Sequence, residues 1–229
     1  MRKKIMLALA IFAGIVILVE AVALLILYRN VARYHAYWPV RARQAGELTY
    51  VALGDSAAQG LGASNPENGY VGLIAKKYAE STGKSVRVVN VSRSGAKIND
   101  VLRTQLSAIK DIKPDLVTIE IGANDIATFT DKTFREEFTT LVGKLPKNTY
   151  VANMPYFGSR PSRRPKAYEA TKIINSIVPT RPDLQLVDLQ TITKERDNIL
   201  GYAADYFHPN NRSYKNWAEA FWNEISKDQ

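Results

Sequence analysis

Residues 205–208 read Asp-Tyr-Phe-His, and His208 is one of only two histidines in the 229-residue chain. The other, His35, lies in a short stretch just after an N-terminal apolar segment. Chemistry in the rest of the chain that needs an imidazole near neutral pH therefore falls to His208. Asp205, three residues upstream, is close enough in a turn to accept a hydrogen bond from one ring nitrogen. That bond fixes the tautomer and leaves the other nitrogen free as a base. Pro209 disfavours helix at His208 and keeps it on an extended loop. A surface histidine beside a surface aspartate would read the same way, so the remaining clusters decide.

Ser56 follows Gly54 and Asp55 at the expected start of a helical turn. A lone Gly-Asp-Ser is ordinarily a helix cap; paired with His208, Ser56 becomes a candidate nucleophile with its base. Acyl transfer also needs donors aimed at a developing oxyanion. Three are available: the backbone N–H of Ser56, the backbone N–H of Gly95 and the side-chain amide of Asn124. Plainer roles exist for the last two, a turn glycine and an asparagine capping its own loop. Asp55 and Asp125 are expected to order their loops rather than act in the chemistry, with Gly54 and Gly122 in supporting positions.

Elements must bring these residues together. Apolar runs at 48–53, 86–91, 115–121, 149–154 and 184–189 predict strands. Helical spacing predicts helices over 70–79, 98–109, 134–145, 167–178 and 214–225, the last capped by Asn210 or Asn211. Strands and helices that alternate five times argue for a parallel sheet covered on both faces, with right-handed connections. Ligands bind such folds beyond the carboxyl ends of the strands. Gly54-Asp55-Ser56, Ser92 to Gly95, Gly122 to Asp125 and Asp205 to His208 all follow strands, so they are expected on one rim.

Residues 5–28 are apolar apart from Glu20, long enough as a helix to span a bilayer. They predict a transmembrane anchor, with 1–4 as a cytoplasmic flank, 29–45 as a linker or juxtamembrane helix, and 46–229 as the main domain outside the membrane. The alternative is a signal peptide cleaved near Ala21-Val22-Ala23 and a secreted product. The net charge of +9 misleads as a clue to partners. Residues 1–44 carry +6 of it and the domain only +3, which is no argument for nucleic acid. Zero cysteines exclude disulfides and thiol catalysis. No metal-ligand cluster or cofactor motif is visible, so chelators are expected to leave activity intact.

The blocks together resemble the SGNH or GDSL-type hydrolases. Val51 to Gly62 (VALGDSAAQGLG) resembles the family's first block, Ser94-Gly95 its glycine block, Gly122-Ala123-Asn124-Asp125 its Gly-x-Asn-Asp block, and Asp205 to Asn210 its Asp-x-x-His block. Order and spacing agree over about 47–225. The resemblance implies a three-layer, flavodoxin-like α/β sandwich with a central five-stranded parallel sheet and a metal-free serine esterase mechanism. In it Ser56 is the nucleophile, His208 the base, Asp205 its orienting carboxylate, and Ser56, Gly95 and Asn124 the oxyanion hole. Ala57 departs from the family's usual leucine, Ser213 from a common glycine, and the longer glycine pattern before Gly95 is missing; no catalytic group is lost.

The expected function is a membrane-anchored extracytoplasmic esterase acting on cell-envelope O-acetyl glycan or acyl-lipid esters. The alternatives are a lysophospholipase or thioesterase, and an idle glycan- or lipid-binding module. Residues 157–166 form a basic loop expected to overhang the site, where its four cations either favour an anionic substrate or are simply solvated.

Overall fold

The computed structural model describes residues 2–228. Five strands, β1 (Leu48–Gly54), β2 (Val86–Asn90), β3 (Leu116–Glu120), β4 (Thr149–Ala152) and β5 (Gln185–Val187), form one parallel sheet in the order β2-β1-β3-β4-β5. Seven helical elements accompany it: α1 (Arg2–Arg41), α2 (Tyr70–Thr82), α3 (98–108), α4 (Asp131–Lys144), α5 (Arg164–Ile177), α6 (Leu189–Glu195) and α7 (Asn211–Ile225). The parallel sheet covered on both faces is the one the alternating pattern predicts, and the three-layer, flavodoxin-like α/β arrangement is the one the resemblance implies.

Successive side chains of a strand point to opposite faces, and the central strands are apolar on both. From β1, Val51 and Leu53 enter a core with Phe134, Phe138 and Ile174, beneath α3, α4 and α5. Tyr50 and Ala52 enter the other, with Tyr70, Trp217 and Phe221 of α2 and α7. The Tyr70 and Phe221 rings stack there, centroids 5.2 Å apart.

Three features differ from the sequence-based expectation. First, α1 does not end near residue 28 but runs without a break to Arg41, with Pro39 inside its last turn. Tyr34 and Trp38 are 0% and 1% exposed, buried against the domain, so this part of 29–45 is a docked helix. Second, the helix expected over 98–109 is π-helical over Val101–Gln105. The wider turn accompanies the inward reach of Gln105, whose side chain accepts from the Gly54 N–H at 2.9 Å and donates to the Gly54 carbonyl at 2.8 Å. Third, α6 follows β5, capped by Asp188, so the loop carrying Asp205 and His208 follows a helix rather than the fifth strand. The final helix is capped by Asn210.

Candidate active site

In the order β2-β1-β3 the chain direction reverses its progress at β1, and a crevice opens beyond the carboxyl ends of β1 and β3. Gly54 ends β1 with φ of 140°, and a Cβ there would lie 2.4 Å from the Glu120 carbonyl oxygen. Only glycine fits, so the chain turns sharply and lifts Ser56 above the sheet. Asp55 Oδ1 accepts from the Ala57 N–H at 2.9 Å and fixes that turn.

The loop 202–210 delivers the imidazole. His208 Nε2 lies 2.9 Å from Ser56 Oγ, and His208 Nδ1 lies 2.5 Å from Asp205 Oδ2. Asp205 Oδ1 accepts from the backbone N–H groups of Phe207 and His208 at 3.0 and 3.1 Å. A carboxylate only accepts, so Nδ1 carries the proton and Nε2 is left to accept from the serine hydroxyl. Partial burial pushes the Asp205 carboxyl up, but the His208 bond, the His208 charge and the two backbone bonds outweigh it and hold it below the ordinary aspartate value. Tyr206 adopts φ of 50° in this loop, a left-handed conformation uncommon outside glycine and found at functional turns.

Two expected oxyanion donors are free. The backbone N–H groups of Ser56 and Gly95 donate to no group among the described residues. Gly95 has φ of 79°, and a Cβ on it would meet nothing within 4 Å, so space lies open beside its amide. Asn124 is placed differently: its Nδ2 donates to Asp55 Oδ2 and to the Ala96 carbonyl, both at 3.0 Å. That amide serves an oxyanion only by leaving one of these partners. Asp125 accepts from the Ile98 N–H at 3.3 Å and orders the neighbouring loop; burial pushes its carboxyl up to about 6. Gly122 takes φ of 120° beneath Met154 and Phe134.

The basic loop reaches the site. Arg160 lines the cleft with Ser56 and His208, donates to the Asp205 carbonyl at 3.0 Å and lies over the Phe207 ring at 5.3 Å. Arg164 sits over Tyr156 at 4.7 Å and donates to the Gly158 carbonyl. Arg163 also lies over the Phe207 ring, at 5.8 Å, so three of the loop's four cations sit on rings and two of these also hold backbone.

Sequence reasoning missed Glu120 and Gln59. Glu120 ends β3, lines the cleft and is 1% exposed, yet neither carboxyl oxygen has a hydrogen-bond partner. The Tyr70 hydroxyl, equally buried, also has none. Burial first, and then the Asp55 charge, push Glu120 well above the usual range; Asp55 is raised by its own burial. An uncompensated buried carboxylate is costly, so this pair holds protons that exposed acids would lose. Gln59 Oε1 accepts from the Ser94 N–H and hydroxyl at 3.1 and 2.6 Å, and holds the loop that presents Gly95. The readable signals were an acid closing an otherwise apolar strand and a glutamine three residues after the serine. Among the described residues, no cluster of three or more His, Cys, Asp or Glu could hold a metal ion.

Comparison with known proteins places this geometry. A family model for the GDSL-like Lipase/Acylhydrolase family matches residues 52–215. An esterase, TesA, of Pseudomonas aeruginosa is 37% identical over 83 residues, 36% of this chain and 40% of that protein. A lipase of Streptomyces rimosus is 37% identical over 114 residues, 47% of this chain and 41% of that one. The matches thus span about two fifths of either curated relative. Among solved structures, a variant of Axe2, an acetyl xylan esterase from Geobacillus stearothermophilus, superposes with a TM-score of 0.64. It is 21% identical, over 79% of this chain and 95% of that one.

Proposed function

The chain belongs to the GDSL-like lipase/acylhydrolase family, and from that premise we propose that it is a membrane-anchored serine esterase that hydrolyses carboxylic esters. One observation carries the reading: a serine hydroxyl, an imidazole and a carboxylate in series, at 2.9 and 2.5 Å. In the proposed mechanism His208 Nε2 takes the Ser56 proton as Oγ attacks the ester carbonyl. Asp205 holds the ring and stabilises the imidazolium. The tetrahedral oxyanion meets the N–H groups of Ser56 and Gly95, joined by Asn124 once its amide turns from Asp55. Collapse expels the alcohol with the proton from His208, and water then releases the acid from Ser56 by the same route in reverse.

The anchor reading is supported by α1 itself. Among the described residues it is the one helix long and apolar enough to cross a membrane, and it enters the domain unbroken. Cleavage after Ala23 would cut its middle and leave the exposed Leu24, Leu25 and Ile26 at the new terminus. Arg2, Lys3 and Lys4 precede the span, but Arg29, Arg33, Arg41 and Arg43 follow it, so the charge bias is weak; the N-terminus is placed inside and the domain outside because N-terminal signal-like segments usually insert that way. Cell-envelope esters, either O-acetyl groups on glycans or acyl lipids, are the proposed substrates.

The deciding test is hydrolysis of p-nitrophenyl acetate, butyrate and a long-chain ester by the full chain in detergent, beside Ser56→Ala and His208→Ala. Turnover that drops by about 10⁴-fold or more in both variants supports the assignment. Turnover that survives both variants overturns it.

A further inference from the structure

The direction of α1 across the domain fixes which face of the hydrolase meets the membrane. Tyr34 donates from its hydroxyl to the Ala63 carbonyl, in the loop that follows Ser56 beyond the carboxyl end of β1. One turn on, Trp38 Nε1 donates to the Gln59 carbonyl. At the far end, Arg41 reaches the Val86 carbonyl, and Arg87 donates to the Ala42 carbonyl, at the start of β2. The helix thus runs antiparallel to the strands, and its apolar half projects from the catalytic rim.

The apolar span also lies unusually close to that rim. Seven residues separate Leu27 from Tyr34, about 10 Å of helix. The domain reaches further down still. Ala23, Ile26 and Leu27 line a groove of about 740 Å³ with Ala203 and Ala204, from the loop that carries Asp205 and His208, and with Arg212 at the start of α7. Glu20, Ala23 and Leu27 are partly covered, on one helical stripe with the buried Asn30 and Tyr34. Exposed beside that loop stand Ile199 and Leu200, 59% and 70% exposed. Asn210, which lines the groove, holds the Leu200 carbonyl at 2.9 Å. Arg29, Arg33 and Arg212 are exposed, and Arg33 and Arg212 line the same groove.

We propose that the catalytic rim rests on the bilayer, with Ile199 and Leu200 in the lipid interface, and that the site draws its ester from a membrane amphiphile. The proposal rests on the anchored-esterase reading and narrows it: a rim turned to the membrane selects lipid-borne esters over glycan O-acetyl groups held away from the surface. The groove between α1 and 203–212 is then a place for an acyl chain, apolar along the helix and cationic at Arg33 and Arg212.

The chain has no cysteine, so single-site labels carry no background. Ile199→Cys, Leu200→Cys and Lys110→Cys are labelled with an environment-sensitive fluorophore. The full chain is then reconstituted in phosphatidylcholine vesicles containing phosphatidylglycerol. Lys110, near the amino end of β3, is the control on the opposite rim. Labels at 199 and 200 are expected to shift to the blue and to be quenched by nitroxide lipids, while the label at 110 is quenched by aqueous iodide. Labels at 199 and 200 that behave like the one at 110 overturn the orientation.

A second arm compares Ile199→Ser/Leu200→Ser with the unmodified chain on p-nitrophenyl acetate and on a fluorescent phosphatidylcholine in the vesicles. The soluble ester is expected to turn over equally, and the vesicle-borne ester about tenfold more slowly in the variant. Equal rates on the vesicle-borne ester, or no turnover of it by a chain active on the soluble ester, overturn the substrate assignment. A chain inactive on both esters counts against the esterase reading, and the fluorescence arm still decides the orientation.

Discussion

The indole N–H of Trp38 donates to the Gln59 carbonyl at 3.1 Å, which ties the N-terminal helix to the turn that carries Ser56. Gln59 continues the link: its amide donates to the Ser92 carbonyl at 3.1 Å and its oxygen accepts twice from Ser94. A helix with no counterpart in the catalytic blocks thereby braces the loop that presents the Gly95 N–H.

Removing that helix at the apparent domain boundary should therefore harm the enzyme. A fragment over 46–229 is expected to melt below one over 32–229, which keeps Tyr34 and Trp38. In the longer fragment Trp38→Ala should cost about 3–5 kcal/mol, the usual range for truncating a large buried aromatic. Denaturant midpoints of the three proteins check this, and equal midpoints would mean the docked turns contribute no stability.

Asp205→Asn keeps the shape of the side chain but offers Nδ1 a different partner and removes the charge that stabilises the imidazolium. Turnover of p-nitrophenyl acetate should fall about 10³–10⁴-fold, with an unchanged near-ultraviolet circular dichroism spectrum. A loss under tenfold would place the orienting charge elsewhere.

Gln105→Leu leaves the buried Gly54 N–H unmet and the Gly54 carbonyl with only the Arg93 N–H, at a cost of about 1–3 kcal/mol. The effect should reach the chemistry, because Gly54 sets the turn under Ser56. Urea unfolding and kcat measured on one preparation test both halves. A destabilised variant with full kcat would separate the strand end from the nucleophile.

Stability should depend on pH through the buried acids, and the sign differs between them. Asp125, raised to about 6, and Asp55 and Glu120, also raised, favour the fold while protonated. Their contribution is complete below about pH 4, the unfolded value, and is lost as pH climbs through the folded values. Asp205 is lowered and acts in reverse: its contribution is present above about pH 4 and lost on further acidification. Melting temperature should therefore fall as pH climbs from about 4 through about 6, the raised value of Asp125 and Asp55, and continue to fall above it as Glu120 loses its proton. Glu120→Gln, which cannot ionise, should flatten part of that fall. Parallel slopes for the two proteins would show that Glu120 does not titrate in this range.

The sheet was legible because its strands are short, apolar runs separated by helical spacing, and parallel sheets covered on both faces have that signature. The juxtaposition of Ser56, Asp205 and His208 was legible because scarcity forced the choice of histidine. What escaped depends on partners distant in sequence. Apolarity alone ends the first helix near Tyr28; Tyr34 and Trp38 extend it because the loop 59–63 waits 21 and 29 residues away. Nothing local in Val101–Gln105 announces a π-turn, since its cause is Gly54, 51 residues upstream. Asn124 was readable as a donor, but its engagement by Asp55 is a packing fact. Glu120 reads as a strand end until both faces are covered.

The hydrogen bond between Ser56 and His208 joins residues 152 apart, and the stacking of Tyr70 on Phe221 closes the same gap from beneath. A ribosome adding about 5–20 residues per second takes roughly 8–30 s to cover that interval. During that time the nascent chain already has its long apolar helix and its serine but not the imidazole that pairs with it. The pair proposed for catalysis therefore forms only after residue 208 is made and α7 closes over the sheet. On the proposed mechanism, a product cut short before residue 208 carries the serine without its base, so activity reports that the chain has been made past His208 and has folded.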